Sequence, residues 1–244
     1  MGDRRFFMRI RFDLLDDDHD LASVGAGFGA IAANFGMDWA LADPATPTRT
    51  LILVSRFGHC LNDLLFRSRS GALNIEVPAV VSNHEDLRPL VEEAGIAFHH
   101  VAVTPDTKPD AERALLDLVD AHEIDLVVLA RYMQVLSNDT CAQLAGRAIN
   151  IHHSFLPAFS GARPYHQAHA RGVKLIGATA HYVTTELDGG PIIEQDIARV
   201  DHSMGSEALA AAGRDVEAQV LARAVKWHSE HRVLVNGNRT VVVR

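Results

Sequence analysis

The stretch IDLVVLARYMQVLSNDTCAQLAGRAINIHH, residues 124–153, contains two runs that are mostly apolar, with one polar residue each, and that lead into polar residues. The first run, Ile124 to Ala130, precedes Arg131, and the second, Ala148 to Ile151, precedes His152. A strand buried on both faces is apolar throughout, whereas a strand with one solvent-facing side alternates between apolar and polar residues. These two runs therefore predict strands of a parallel sheet that is covered on both faces.

Comparable apolar runs lie on both sides of this stretch. Toward the N-terminus, further strands are predicted at Leu51 to Val54, Val77 to Val81 and Ile96 to Val103, with helices at Cys60 to Arg69, Glu85 to Glu93 and Pro109 to Ala121. Toward the C-terminus, we predict strands at Leu175 to Val183 and Pro191 to Val200, a long helix with Val216, Val220, Ala224 and Trp227 on one face, and a hairpin at 233–243. Strands that alternate with helices are typical of a doubly wound α/β fold with a mostly parallel sheet.

The first 47 residues have a different pattern. Their periodicity predicts a strand at 5–13, a helix at 21–35 that ends at Gly36, and a second strand at 37–41. A unit this small buries too little apolar surface to offset its chain entropy, so it must pack against something else. Because the segment Asp43 to Thr48 contains two prolines and no apolar period, we predict a linker there. The expected domains are therefore 1–47 and 48–244.

The composition narrows the class of ligand. With 244 residues, 48% hydrophobic and 22% charged, the chain is typical of a globular protein. A net charge of -8 and a pI near 5.9 argue against nucleic acids and acidic membranes as partners. No apolar stretch approaches the roughly 20 residues of a membrane span. Cys60 and Cys141 form no CxxC pair, which is typical of a reducing compartment. We therefore expect a cytoplasmic protein with a small-molecule ligand.

Polar residues at the predicted strand ends suggest a chemistry. Asn150 and His152 lie two residues apart, so an extended strand points both side chains the same way. An amide donor beside an imidazole suits attack on a carbonyl carbon, although a solvated strand end would have the same residues. Asp188 follows another apolar run in a Leu-Asp-Gly-Gly sequence. Its carboxylate could hold His152 charged or move a proton, or it could be an ordinary turn residue.

Other features carry weaker signals. The fourteen histidines include His166 and His169 at helical spacing, but there is no HExxH motif and no cysteine partner, so we expect no metal. The segment Ser55 to His59 contains one glycine instead of the G-x-G-x-x-G of a dinucleotide site. His181 and Tyr182 lie on a predicted strand and are expected to be wall and core residues.

Four short segments carry a resemblance to a known family. They are NIHHSFLP at 150–157, YHQA at 165–168, GATAHYV at 177–183 and LDGGPII at 187–193. Together they resemble the formyltransferase family that uses 10-formyltetrahydrofolate, over a region from about Arg49 to the C-terminus. The resemblance implies a catalytic set of Asn150, His152 and Asp188, and no cofactor, because the folate is itself the substrate.

The same resemblance implies a folate-binding groove with two sides. The segment at 131–136 corresponds to the backbone that holds the pterin ring, and the segment at 183–189 corresponds to the facing loop. The implied folate-binding residues are Arg131, Tyr132, Met133, Gln134, Val135, Leu136, Val183, Thr184, Thr185 and Gly189. Where Thr185 stands, the family often has an acidic residue.

The family contains both transferases and hydrolases. Its glycinamide ribonucleotide transformylases hold the acceptor phosphate on a Gly-Asn-Gly-Ser-Asn-like loop after the first strand, where this chain has Arg56-Phe57-Gly58-His59-Cys60. His153 also stands where those transferases usually have proline. Without a phosphate loop, water is the expected acceptor, giving formate and tetrahydrofolate for one-carbon and purine metabolism. The alternative is formyl transfer to an amine.

In the hydrolytic members a complete ACT domain, a βαββαβ regulatory module, precedes the catalytic domain. Residues 5–41 resemble only its second half, so residues 1–47 are interpreted as a partial ACT-like regulatory or assembly domain. We expect either that coding sequence continues upstream of Met1 or that this module is shortened. The unpaired strand edge expected in such a fragment favours a homo-oligomer.

Overall fold

The structure is a computed structural model that describes residues 5–15, 20–156 and 164–244. Its strands are β1 (Thr48–Val54), β2 (Ile75–Glu76), β3 (Ala79–Ser82), β4 (Ala97–His100), β5 (Leu126–Leu129), β6 (Ala148–His152), β7 (Leu175–Tyr182), β8 (Ile192–Arg199), β9 (Val233–Asn236) and β10 (Arg239–Val242). Its helices are α1 (Leu21–Phe35), α2 (His59–Arg69), α3 (Arg88–Glu93), α4 (Lys108–Ala121), α5 (Asn138–Gln143), α6 (Pro164–Arg171) and α7 (Ser206–Ser229).

The main sheet has the strand order β4-β3-β1-β5-β6-β7-β8, and β2 pairs with β1. The pairings from β4 to β6 are parallel, whereas β7 is antiparallel to both β6 and β8. The predicted doubly wound, mostly parallel α/β fold is confirmed. From β1 the chain first winds outward through β3 to β4 and then returns to β5 on the other side of β1. This change of direction places a ligand crevice at the carboxyl ends of the central strands.

The continuous apolar runs follow from burial on both sheet faces. In β1, Ile52 and Val54 pack in a cluster with residues of α2 and α7, whereas Leu51 and Leu53 pack in a second cluster with residues of α4 and α5. All four side chains are 0% exposed. A strand in this position cannot alternate with polar residues, because neither of its faces reaches water.

Several predicted boundaries need correction. The strand expected at Ile96 to Val103 is only β4, four residues long, and the short helices α5 and α6 were not predicted. The long C-terminal helix and the hairpin are confirmed, and β9 and β10 pair antiparallel. Among the helices of the described residues, none has the length and apolar composition of a membrane span.

The N-terminal segment agrees with the sequence analysis only in its helix. Asp20 caps α1 in a reciprocal pair with Ser23, and Gly36 ends it with a φ of 59°. The strands predicted at 5–13 and 37–41 are wrong, because no strand is assigned to the described residues of either segment. Alternating apolar residues form a strand only where another strand pairs with their backbone. Here Phe6 remains 85% exposed and Ile10 64% exposed.

Candidate active site

The structure brings the three residues predicted to be catalytic together at the end of β6. Nδ1 of His152 lies 3.2 Å from Oδ2 of Asp188. Asn150 lies opposite His181 in the antiparallel pairing of β6 with β7, and its Nδ2 is 3.3 Å from Nε2 of His181. Nε2 of His181 is in turn 3.6 Å from Oδ1 of Asp188. The site is therefore a four-residue network in which Asp188 faces two imidazoles.

His181, expected to be a wall residue, was missed as a member of this network. Its Nδ1 lies 2.9 Å from the carbonyl oxygen of Tyr182, and a carbonyl can only accept, so Nδ1 carries the proton. Nε2 consequently faces Asn150 and Asp188. The sequence does contain a signal for His181. Residues 179 and 181 lie two apart on a strand, as 150 and 152 do, so their side chains share one face. That this face is the one that carries Asn150 and His152 follows only from the antiparallel register of β6 and β7.

The tautomer of His152 also follows from its contacts. Because the Asp188 carboxylate accepts only, Nδ1 of His152 donates to it. Nε2 is buried and has no hydrogen-bond partner within the described ranges. A buried polar atom without a partner costs about 1–3 kcal/mol. This nitrogen is therefore placed to meet an atom of a bound molecule.

Asp188 is a fixed anion. The hydrogen bond from His152 and the nearby imidazole of His181 hold the pKa of its carboxyl well below the usual range, outweighing partial burial. A carboxylate whose pKa is so low is a weak base. Its electrostatic effect on the two imidazoles is therefore its main chemical contribution.

The loop that holds Asp188 is tightly folded. Asp188 itself has a left-handed backbone, with a φ of 55°, and Gly190 packs against the end of β7. A Cβ atom on Gly190 would overlap the carbonyl oxygen of Tyr182. The second glycine of the Leu-Asp-Gly-Gly sequence is therefore required by the close approach of two backbones.

We expect Gly190→Ala to destabilise the protein by about 1–3 kcal/mol, the usual cost of overpacking, and to lower activity by displacing Asp188. Urea unfolding followed by circular dichroism measures the first effect. Gly27→Ala is the control, because its methyl group would meet no atom within 4 Å in α1. Equal stability of the two variants would contradict this interpretation of the loop.

The ten residues implied in folate binding lie on two segments beside this network. Tyr132 and Val183 pack in one apolar cluster, which brings the segments 131–136 and 183–189 together. The amide of Met133 donates to Oγ of Ser55 at 2.9 Å, and the Met133 side chain is 53% exposed. Thr185 is exposed. Val135 is also exposed, so the first segment presents two apolar side chains at its surface.

A second polar cluster, which we call the Glu217 cluster, consists of Glu217, His59, Tyr165 and Arg131. The carboxylate of Glu217, whose side chain is 1% exposed, lies 2.8 Å from Nε2 of His59 and 3.3 Å from Nε of Arg131. It also accepts a short hydrogen bond from the hydroxyl of Tyr165. These contacts hold the pKa of Glu217 below its usual value despite the opposing effect of burial.

The sequence analysis missed this cluster. Its signal is a charged residue within the apolar face of α7, since Gly213, Glu217 and Val220 share helical spacing and are all buried. His59, Cys60 and Glu217 place ligand-type atoms within 4.8 Å of one another. The guanidinium of Arg131 beside the same carboxylate, and the raised pKa of the buried Cys60 thiol, both oppose a cation there.

The fold and the sequence place this protein among the formyl transferases. Residues 48–225 match the family described as formyl transferase, and the chain belongs to that family. It is 55% identical over 250 residues to a formyltetrahydrofolate deformylase of Corynebacterium sp. (strain P-1), covering 100% of this chain and 85% of the relative. The predicted family resemblance is confirmed.

Solved structures give the same result. The formyltetrahydrofolate deformylase of Burkholderia mallei ATCC 23344 is 55% identical, with a TM-score of 0.89 over 93% of this chain and 81% of that one. Glycinamide ribonucleotide transformylase 1 of Symbiobacterium toebii is more distant, at 29% identity and a TM-score of 0.74 over 86% of this chain and 99% of that one. The deformylases are thus the nearer of these two groups.

Proposed function

We propose that this protein hydrolyses 10-formyltetrahydrofolate to formate and tetrahydrofolate. The observation that carries the proposal is the buried His152, whose Nδ1 is held by Asp188 while Nε2 has no partner within the described ranges. This site lies in a chain with 55% identity to a deformylase. An imidazole fixed in this way can donate to, or exchange a proton with, a formyl group bound in front of it.

The proposed mechanism assigns a role to each residue of the set. Water attacks the formyl carbon, and the amide of Asn150 donates to the oxyanion that develops. His152 stabilises that oxyanion or passes a proton, and Asp188, a weak base, fixes the tautomer of His152 and stabilises positive charge that develops on its imidazole. The C–N10 bond then breaks, N10 takes one proton, and formic acid leaves as formate and a proton.

The direct test mixes purified protein with 10-formyltetrahydrofolate and measures formate and tetrahydrofolate without any added amine. We expect the two products in equal amounts. Turnover that requires an amine such as glycinamide ribonucleotide would instead support a transferase, the alternative considered from the sequence. Folate binding without turnover would indicate a sensor.

The groove that would receive the folate is proposed at the two segments 131–136 and 183–189. Its open backbone and apolar side chains suit a flat ring, and no resident cofactor enters the proposed chemistry. Formate so produced would supply one-carbon and purine metabolism, and we propose that this occurs in the cytoplasm.

We also propose that the chain divides into two domains at residue 47. Residues 1–47 would be an assembly element and residues 48–244 the catalytic domain. The support is the row of exposed apolar side chains before and along α1, which includes Phe6, Met8, Ile10 and Phe35. Contiguous exposed apolar surface is typical of interaction sites, so a homo-oligomer is expected.

A further inference from the structure

We propose that His153 is a further catalytic residue, one that accepts a hydrogen bond from the attacking water while Arg131 donates to the same water. Glu217, His59 and Tyr165 are positioning residues that hold this water site. The inference rests on the proposed hydrolysis, because it concerns the second substrate of that reaction.

Strand alternation places His153 away from the Asp188 side of β6. Ile149 and Ile151 pack in the cluster that includes residues of α7, so His153, two residues further, continues toward that face. Its ring centroid lies 5.1 Å from that of His152 and 6.4 Å from that of Tyr165. His153 therefore stands between the Asp188 network and the Glu217 cluster.

Arg131, which follows β5, also lies between the Asp188 network and the Glu217 cluster. Leu129 pairs with Asn150 in the parallel register, so Arg131 follows the end of β5 beside the end of β6, and its charge lies close enough to lower the pKa of His153. The backbone of Arg131 is left-handed, with a φ of 65°, and its side chain meets Glu217. A non-glycine residue in this conformation is uncommon and is enriched at functional sites.

Unpaired polar atoms mark the space between these groups. Nη1 of Arg131 and Nε2 of His152 are buried without a hydrogen-bond partner within the described ranges, and both residues are more than nine-tenths buried. His153 beside them is only half-buried, and its ring forms no hydrogen bond to another described residue. Buried polar groups in folded proteins are nearly always satisfied, so these atoms point to a small polar ligand.

The charges favour a neutral ligand over an ion. Glu217 and Arg131 cancel, and burial together with the nearby Arg131 charge lowers the pKa of His153 to about 4, so its ring is neutral at pH 7. A guanidinium nitrogen can only donate, and a neutral imidazole can accept. Water satisfies both, and it retains a lone pair for the formyl carbon.

The positioning residues are held by close packing. Tyr165 lies against α7 at Gly213, where a Cβ atom would overlap its ring. One helical turn further, Glu217 accepts from the Tyr165 hydroxyl and from His59. The ring that borders His153 and the carboxylate that holds Arg131 are therefore fixed by the same contact between α6 and α7.

The test compares His153→Ala and His153→Gln with wild type in formate release, with and without hydroxylamine as a small competing nucleophile. Since a positioned acid or base contributes about 10²–10⁴-fold, kcat of His153→Ala should fall at least about 100-fold, while KM changes little. His153→Gln, which can still accept from water, should retain clearly more activity. The ratio of formyl hydroxamate to formate should rise in His153→Ala, because hydroxylamine does not need the water site.

Tyr165→Phe should shift the same product ratio in the same direction by a smaller factor, and exposed His202→Ala should leave it unchanged. A His153→Ala variant that keeps near-normal kcat, or one that loses water and hydroxylamine reactions equally, would overturn the proposal. If wild type itself releases no formate, the proposed function fails instead. Circular dichroism of each variant establishes that it is folded, and His153→Gln tests the proposal should His153→Ala not fold.

Discussion

Asp188→Asn is expected to lower kcat for formate release by about 10²–10⁴-fold, the contribution of a positioned acid–base system. The exchange keeps the shape of the side chain but removes the anion that His152 and His181 face. An asparagine amide that donates to Nδ1 of His152 would also move the imidazole proton to Nε2. The tautomer of His152 would then be wrong at the nitrogen that faces the substrate.

Binding should survive this exchange. Folate contacts are proposed on the segments 131–136 and 183–189, and Asn has the size of Asp, so the dissociation constant of tetrahydrofolate should change little. Asp201→Asn makes the same chemical change on the surface and serves as the control. Near-normal turnover in Asp188→Asn would refute the role assigned to Asp188, whereas loss of folate binding would show that the loop had moved.

Glu217→Ala is expected to cost about 3–5 kcal/mol in free energy of unfolding, the usual result of removing one partner of a buried ion pair. The variant would leave the buried guanidinium of Arg131 without an anion, and it would remove the acceptor of both His59 and Tyr165. Glu217→Gln should cost less, because its amide oxygen still accepts.

Urea unfolding measures this effect, and Glu207→Ala is the matched control. Glu207 is exposed in the first turn of the same helix, so its loss should change the free energy of unfolding by less than about 1 kcal/mol. If the two alanine variants were equally stable, Glu217 would not hold the cluster together.

The residues that could be predicted from the sequence are those whose position depends on local rules. The strand period placed Asn150 and His152 on one side, and the turn after an apolar run singled out Asp188, but only the family resemblance implied that the three form a catalytic set. His181 depended on an antiparallel register between distant segments. Arg131 was named from the family resemblance as a folate-binding residue, but its contact with Glu217 was not predicted, because it joins a residue with a left-handed backbone to a distant helix.

The fold divides in the same way. Strands such as β1 were predictable because burial on both faces produces an apolar run, here Leu51 to Val54. Residues 5–13 alternate between apolar and polar side chains as a strand does, yet they form no strand. Strand formation requires pairing with a second strand, which the alternation does not supply. Glu217 was missed for the related reason that its partners come from three other parts of the chain.

The contact between Tyr165 and Gly213 has a practical consequence for engineering. Replacing helical glycines by alanine is a standard way to raise thermal stability, worth up to about 1 kcal/mol per site. In the 24-residue helix α7 the same replacement at Gly213 would drive a methyl group into the Tyr165 ring. Gly213 should therefore be left unchanged when this protein is engineered for stability, because the absence of a side chain there makes room for the Tyr165 ring.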